Sequence, residues 1–208
     1  MAADSHSAMR SPRIREKRRR RQAEILHAAL RAFREKGYYA TTLDDIAEKL
    51  DVRKTALYHY FPDKEAILYE CHRESLAEVD GFVKDARLRF TTASEQLGHI
   101  IREHVRVMTE TLEGSPLAFE VTALSDERQK EIIRARDRYE RGLRKIIEQG
   151  IRDGEFRSVN SKIAVFAILG AINWIARWYQ PEGSIRTPEL GTEFADQLVG
   201  GLTCRPQP

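Results

Sequence analysis

Residues 42–64 read Thr42-Leu43-Asp44-Asp45-Ile46-Ala47-Glu48-Lys49-Leu50-Asp51-Val52-Arg53-Lys54-Thr55-Ala56-Leu57-Tyr58-His59-Tyr60-Phe61-Pro62-Asp63-Lys64, and this stretch decides the fold. Thr42 offers a hydroxyl N-cap with Asp45 three residues on, an acidic variant of the capping box, so a short helix is predicted over about Leu43–Leu50. Asp51-Val52 makes a tight turn, and Asp tolerates the left-handed backbone. A second short helix is predicted over about Lys54–Phe61, broken by Pro62 and Asp63. Two short helices across a tight turn form a helix-turn-helix, whose second helix can enter a major groove about 12 Å wide. Apolar Ile46, Ala47, Leu50, Val52 and Leu57 can pin the crossing from inside. Arg53, Lys54, Thr55, Tyr58, His59 and Tyr60 face outward as donors and rings suited to phosphates, base edges and thymine methyls.

The flanking sequence extends the same pattern. Upstream, Ile25, Ala28, Ala29, Ala32 and Phe33 fall on one face of a helix over about Arg20–Lys36, and Gly37 ends it as a left-handed cap. Downstream, Asp63 caps a long helix over about Lys64–Arg89. Further helices are predicted over about Ser94–Leu112, Leu117–Leu124, Asp126–Gly150, Ser161–Tyr179 and Glu189–Leu202. No run sustains an alternation of period two, so the fold class is all-α with about nine helices. Three short helices up to residue 65 precede a body of longer ones.

The 208 residues are 41% hydrophobic and 32% charged, the composition of a globular domain rather than a disordered chain. The longest mostly apolar run, Ile163–Ala176, is too short for a bilayer span of about 20 residues, so no membrane partner is expected. No apolar signal region follows the first arginines, and the two cysteines, Cys71 and Cys204, form no disulfide framework. The expected location is a reduced cytoplasm. Net charge is only +3, but its distribution is uneven. Residues 1–22 hold eight basic and two acidic residues, and the remainder is mildly acidic. Residues 1–19 are accordingly expected to form a basic, flexible arm that suits a polyanion. Such arginines can reach a narrow minor groove, with an affinity that falls steeply with salt.

Two blocks of sequence resemble the TetR family of bacterial transcriptional regulators. They are Gly37-Tyr38-Tyr39-Ala40-Thr41-Thr42-Leu43-Asp44-Asp45-Ile46-Ala47 and Leu57-Tyr58-His59-Tyr60-Phe61-Pro62-Asp63-Lys64-Glu65. The resemblance covers about residues 20–70. It implies that Thr42 contacts a phosphate, that Lys54, Thr55, His59 and Tyr60 face the major groove, and that Tyr58 and Lys64 grip phosphates on either side. Asp51 stands where many members carry Gly, and Thr55-Ala56 where many carry Gly-Thr. By this resemblance residues 20–65 form the DNA-binding domain and residues 66–208 an effector-binding and dimerisation domain. The partners are then a double-stranded palindromic operator, a small effector and a second copy of the chain. The last two helices would form the dimer interface, a role that the all-round apolar Ile163–Ala176 run and the stripe Leu190, Phe194, Ala195, Leu198, Val199 and Leu202 also suit.

The effector pocket is expected among the middle helices, from His104, Met108, Phe119, Tyr139, Trp174 and Trp178; most of these also fit plain core packing. Gly150–Arg157, Ile168–Trp174 and Arg177–Gly183 resemble the acyl-CoA-responsive branch of the family, which controls fatty-acid, steroid-fragment or aromatic-acid breakdown. A CoA thioester needs an apolar slot and cations for its phosphates; Arg134, Arg138, Arg141 and Arg177 could supply them, or could pair with nearby glutamates. Other readings are a non-sequence-specific nucleic-acid binder acting through the arm and a regulator of efflux responding to a hydrophobic compound. No catalytic residue, metal or cofactor is expected. His6, His27, His59, His72, His99 and His104 include no pair at metal-ligand spacing, and there is no Gly-rich phosphate loop or Gly-X-Ser-X-Gly elbow.

Overall fold

The computed structural model describes residues 12–111, 116–180 and 182–203. Among them are eight α-helices: α1 (Pro12–Lys36), α2 (Leu43–Glu48), α3 (Lys54–Tyr58), α4 (Lys64–Arg89), α5 (Ala93–Arg106), α6 (Asp126–Arg152), α7 (Ser161–Trp178) and α8 (Thr187–Gly200). A π-helical turn, Val107–Thr111, continues α5, and Pro116–Ala123 is a 3₁₀ helix where a ninth α-helix was expected. No strand occurs among the described residues; one isolated antiparallel bridge joins Phe156 to Thr203.

The local signals act where the sequence places them. Gly37 takes φ 76° and its N–H reaches the Phe33 carbonyl at 2.9 Å. Thr42 caps α2 in a full box, its hydroxyl accepting from the Asp45 N–H and its own N–H donating to the Asp45 carboxylate at 2.7 Å. Asp51 adopts φ 51°. Asp63 accepts from the Ala66 N–H to start α4, and Thr92 with Glu95 boxes the start of α5.

α1, α2 and α3 close around buried Ile25, Ala29, Phe33, Ile46, Ala47 and Leu57, with Leu50 and Val52 half-buried against them. α5 lies at the centre of the larger body and packs on α4, α6 and α8. α8 comes so close to α5 that a Cβ at Gly191 would sit 3.5 Å from the Arg102 backbone. The start of α5 is held from the far end of the chain by Glu155, whose carboxylate accepts from the Ala93 and Ser94 N–H groups at 2.9 Å each.

One expectation needs correction. The basic stretch is not slack throughout: α1 begins at Pro12, so residues 12–19 are helical, with consecutive residues able to form i→i−4 bonds and no Gly or internal Pro to stop them. Residues 1–11 of the expected arm lie outside the described residues. Of the two helices expected at a dimer interface, α8 buries Leu190, Ala195 and Leu202 and keeps Phe194, Leu198 and Val199 half-buried, while α7 exposes Ile163, Phe166, Trp174 and Trp178.

Candidate nucleic-acid interface and effector cavity

The packing of α2 on α3 leaves one polar edge outside. Thr42, Thr55, Tyr58 and His59 are exposed there, Tyr58 to 50%. α3 proper ends at Tyr58, and the chain continues in a turn, with the Tyr60 and Phe61 N–H groups both meeting the Leu57 carbonyl at 2.9 Å. His59 and Tyr60 therefore leave from the end of the helix rather than its side. Lys54 is half-buried and donates to Asp44 at 3.0 Å, which raises its pKa above the usual lysine value. Asp44 thereby lies beside the expected groove-facing cation.

Lys64, expected to grip a phosphate, is engaged within the chain. Its ammonium points back under the 38–41 loop and donates to the carbonyls of Tyr38 (2.7 Å), Thr41 (2.6 Å) and Tyr39 (3.3 Å), lying 4.4 Å from the centre of the Tyr38 ring. An ammonium has three N–H donors, so all three are engaged. Burial pulls its pKa below the usual lysine value. Lys64 here holds the loop that carries Thr42 against the start of α4.

The helical extension of α1 supplies what the sequence alone did not place. Arg18 donates to the His59 carbonyl at 3.1 Å, and its guanidinium stands 5.3 Å from the Tyr60 ring centre. The end of α3 and the first turns of α1 are thus in contact. Arg13, Arg15, Lys17, Arg19 and Arg20 are exposed around these same turns of α1.

A second site lies in the body, a cavity of about 480 Å³ between α4, α5, α6 and α7. α4 gives His72, Leu76 and Val79; α5 and its π turn give His104 and Met108; α6 gives Arg136, Tyr139 and Arg144; α7 gives Phe166, Leu169 and Asn173, with Lys162 and Arg141 at the opening. Of the expected pocket residues, His104, Met108 and Tyr139 line it. Trp174, Trp178, Arg138 and Arg177 do not. The reason is helical phase. On α7 the positions 162, 166, 169 and 173 face the cavity, whereas Trp174 and Trp178 fall on the neighbouring stripe and stay exposed at 58% and 42%. On α6, Arg138 lies two residues from Arg136 and so on the other side. The side chain of Phe119 lies outside the described residues.

The cavity wall mixes apolar Leu76, Val79, Met108, Phe166 and Leu169 with polar and charged groups, Asp137 and Glu140 among them, and its buried polar groups are of two kinds. The Tyr139 hydroxyl and His104 Nδ1 bond to each other at 3.1 Å. Burial holds the His104 pKa down at about 4 and pushes the Tyr139 phenol up. By contrast, His72 Nε2, Glu140 Oε1 and Arg144 Nε are buried without a hydrogen-bond partner among the described residues. Burial, with Arg136 beside it, lowers the His72 pKa to about 3, so this imidazole is neutral. The cavity also borders the helix-turn-helix head through α4. Glu65 accepts from the Ser125 N–H at 2.9 Å and pairs with Arg128 at 3.1 Å, and Tyr69 bonds Glu131 while Arg128 stacks on its ring. The first two turns of α4 are thereby clasped to the start of α6.

A helix-turn-helix head joined by one long helix to a helical body with an internal cavity defines a one-component helix-turn-helix regulator. A family model described as bacterial regulatory proteins, tetR family, matches residues 25–71, and one described as a Tetracyclin repressor-like C-terminal domain matches residues 91–202. The chain belongs to the TetR family of transcriptional regulators, which are not enzymes. It is 27% identical over 187 residues to the HTH-type transcriptional repressor KstR2 of Mycolicibacterium smegmatis, across 88% of this chain and 91% of that one. The solved TetR family regulator PfmR from Thermus thermophilus is 35% identical with a TM-score of 0.76, over 86% of this chain and 99% of that one. AibR, solved in complex with isovaleryl coenzyme A and operator DNA, is 25% identical with a TM-score of 0.75, over 88% and 98%. No described helix is long and apolar enough to cross a membrane.

Proposed function

We propose that the protein is a homodimeric repressor that binds a palindromic operator and releases it when a CoA thioester of an acyl chain enters the cavity. The observation that carries this reading is α4, which starts beside the exposed face of the helix-turn-helix and eight residues later presents His72 to the cavity. A ligand that favours one placement of α4 over another alters operator affinity by its differential affinity for the two.

Thr42, Thr55, Tyr58, His59 and Tyr60 supply the operator face, with Lys54 released from Asp44 on docking. Lys64 acts on the phosphate side by holding the Thr42 loop, and the first turns of α1 add cations alongside. On α7, exposed Ile163, Ala167, Gly170, Trp174 and Trp178 form one apolar stripe on the face away from α6. A second copy covers it. Two-fold symmetry then presents two heads to one duplex, about 34–36 Å or a multiple apart. Leu76, Val79, Met108, Phe166 and Leu169 on the wall suit an acyl group, and Arg141, Arg144 and Lys162 suit phosphates. That AibR was solved with a CoA thioester and operator supports this choice over a purely hydrophobic efflux substrate.

Fluorescence anisotropy on a palindrome from the protein's own promoter, at about 0.15 M salt with random-sequence DNA as competitor, tests the reading. Specific binding is expected, with release by isovaleryl-CoA or longer acyl-CoA and not by the free acid. Equal competition by random DNA, or no response to any thioester, rejects it.

A further inference from the structure

We propose that the effector carries a hydrogen-bond-accepting oxygen, a carbonyl or a carboxylate, at the end of its apolar body that lies against His72. This deepens the thioester reading above and rests on it.

His72 is 2% exposed, it lines the cavity, and its Nε2 has no partner among the described residues. A buried imidazole N–H left against hydrocarbon loses its water without compensation, and buried polar atoms in native proteins are overwhelmingly paired. The other polar pair deep in the cavity makes no such demand, because Tyr139 and His104 already satisfy each other. The other unpartnered atoms, Glu140 Oε1 and Arg144 Nε, sit farther along α6 on side chains that form an ion pair with each other at 3.8 Å, so at the end of the cavity near the helix-turn-helix the need is that of His72. Its polarity is set by Arg136, a half-buried guanidinium whose charge bears on the imidazole. A positive neighbour disfavours a second proton on the ring and favours an acceptor oxygen beside it; the proposal puts the neutral ring's one proton on Nε2, which makes that atom the donor and the ligand the acceptor.

The geometry separates this end from the charged mouth. α4 and α6 run in the same direction: Glu65 meets Arg128, Tyr69 meets Glu131, and Gly142 packs on Val83. His72 and Arg136 thus lie toward the DNA-binding head, and Arg144 and Lys162, farther along α6 and at the start of α7, lie toward the opposite end. A thioester with its phosphates at the Arg144 end brings the far end of its acyl group to His72. An acyl group oxygenated far from the thioester fits both ends, whereas a plain alkyl chain fits only one.

Isothermal titration of the full-length protein with paired thioesters of equal length tests this: hexanoyl- against adipoyl-CoA, octanoyl- against suberoyl-CoA, and octanoyl-CoA against the same chain with a ketone on its penultimate carbon. An oxygenated member is expected to bind about tenfold or more tightly than its hydrocarbon partner, and the arm that shows the preference identifies the acceptor. His72→Leu should abolish the preference while melting at or above the wild-type temperature, since it removes an unpaired polar atom. His72→Gln, which retains an N–H donor, should restore part of it. Equal binding within every pair, as an ordered water on Nε2 would give, overturns the proposal and leaves the thioester reading standing, as does a preference that survives in His72→Leu. If no thioester binds, the thioester reading fails, and the same comparison among free monocarboxylic and dicarboxylic acids decides the oxygen preference alone: dependence on His72 supports it, and equal binding overturns it.

Discussion

Lys64 shows how a single side chain can support the proposed operator face from behind. Its three donors tie the 38–41 loop to α4, and that loop delivers Thr42 to the start of α2. Lys64→Met leaves three carbonyls unmatched, and we expect a loss of about 1–3 kcal/mol of stability in urea unfolding together with weaker operator binding. Retained stability with lost binding would instead assign the ammonium to a phosphate. The two buried imidazoles give a second prediction at this scale. Both folded-state pKa values lie below the ordinary 6.5, at about 4 for His104 and about 3 for His72, so the unfolded chain takes up protons first as pH falls. Their stabilising difference is fully present above about pH 6.5, and is lost progressively as pH drops toward 4 and then 3. One pH unit below 6.5, each should cost about 1–1.5 kcal/mol, and urea midpoints measured from about pH 7.5 to 5.5 should fall less steeply for His72→Leu than for the wild type.

At the scale of elements, local chemistry written in consecutive residues was fully legible. The Thr42–Asp45 box, the left-handed Gly37 and Asp51, and the span of α4 from Lys64 to Arg89 follow from side chains within a turn of one another. The cavity was only partly legible, because it depends on helical phase across four elements. Arg136 occupies the buried stripe of α6 between Ile132 and Tyr139, and His72 the stripe of α4 between Leu68 and Leu76. A polar residue in phase with an apolar stripe is a signal that identifies both. The two tryptophans of α7 attracted attention by residue type, and phase turns them outward. Where Pro116–Ala123 forms a 3₁₀ helix, apolar content alone did not distinguish i→i+3 from i→i+4 bonding. One junction is especially intolerant. A Cβ on Gly150 would lie 2.4 Å from the Phe156 ring and 2.8 Å from Ala93 Cβ, at the point where α6 ends against the start of α5. Gly150→Ala should lower the melting temperature through overpacking of about 1–3 kcal/mol, whereas Gly170→Ala, with open space around it, should leave the monomer's fold intact.

At the scale of the whole molecule, the uncovered stripe of α7 gives the sharpest test of assembly. Trp174→Glu places a charge in the middle of that stripe, and sedimentation is expected to show a folded monomer with strongly reduced operator affinity, since one head alone makes half the contacts. The clasp between α4 and α6 bears on communication. Arg128→Ala removes the Glu65 pair and the stacking on Tyr69, so thioester binding by titration should persist while the thioester releases less DNA. The winding of α1 back to Pro12 also bears on operator choice. A slack tail surrenders about 1–2 kcal/mol of backbone freedom for each residue it orders on a duplex, whereas this stretch has settled that cost in folding. Its charges stand at about 1.5 Å of rise per residue from the fixed point where Arg18 meets His59. On the proposed operator it would work as a ruler rather than a tether, matched in full by a duplex whose phosphates stand at the corresponding separation.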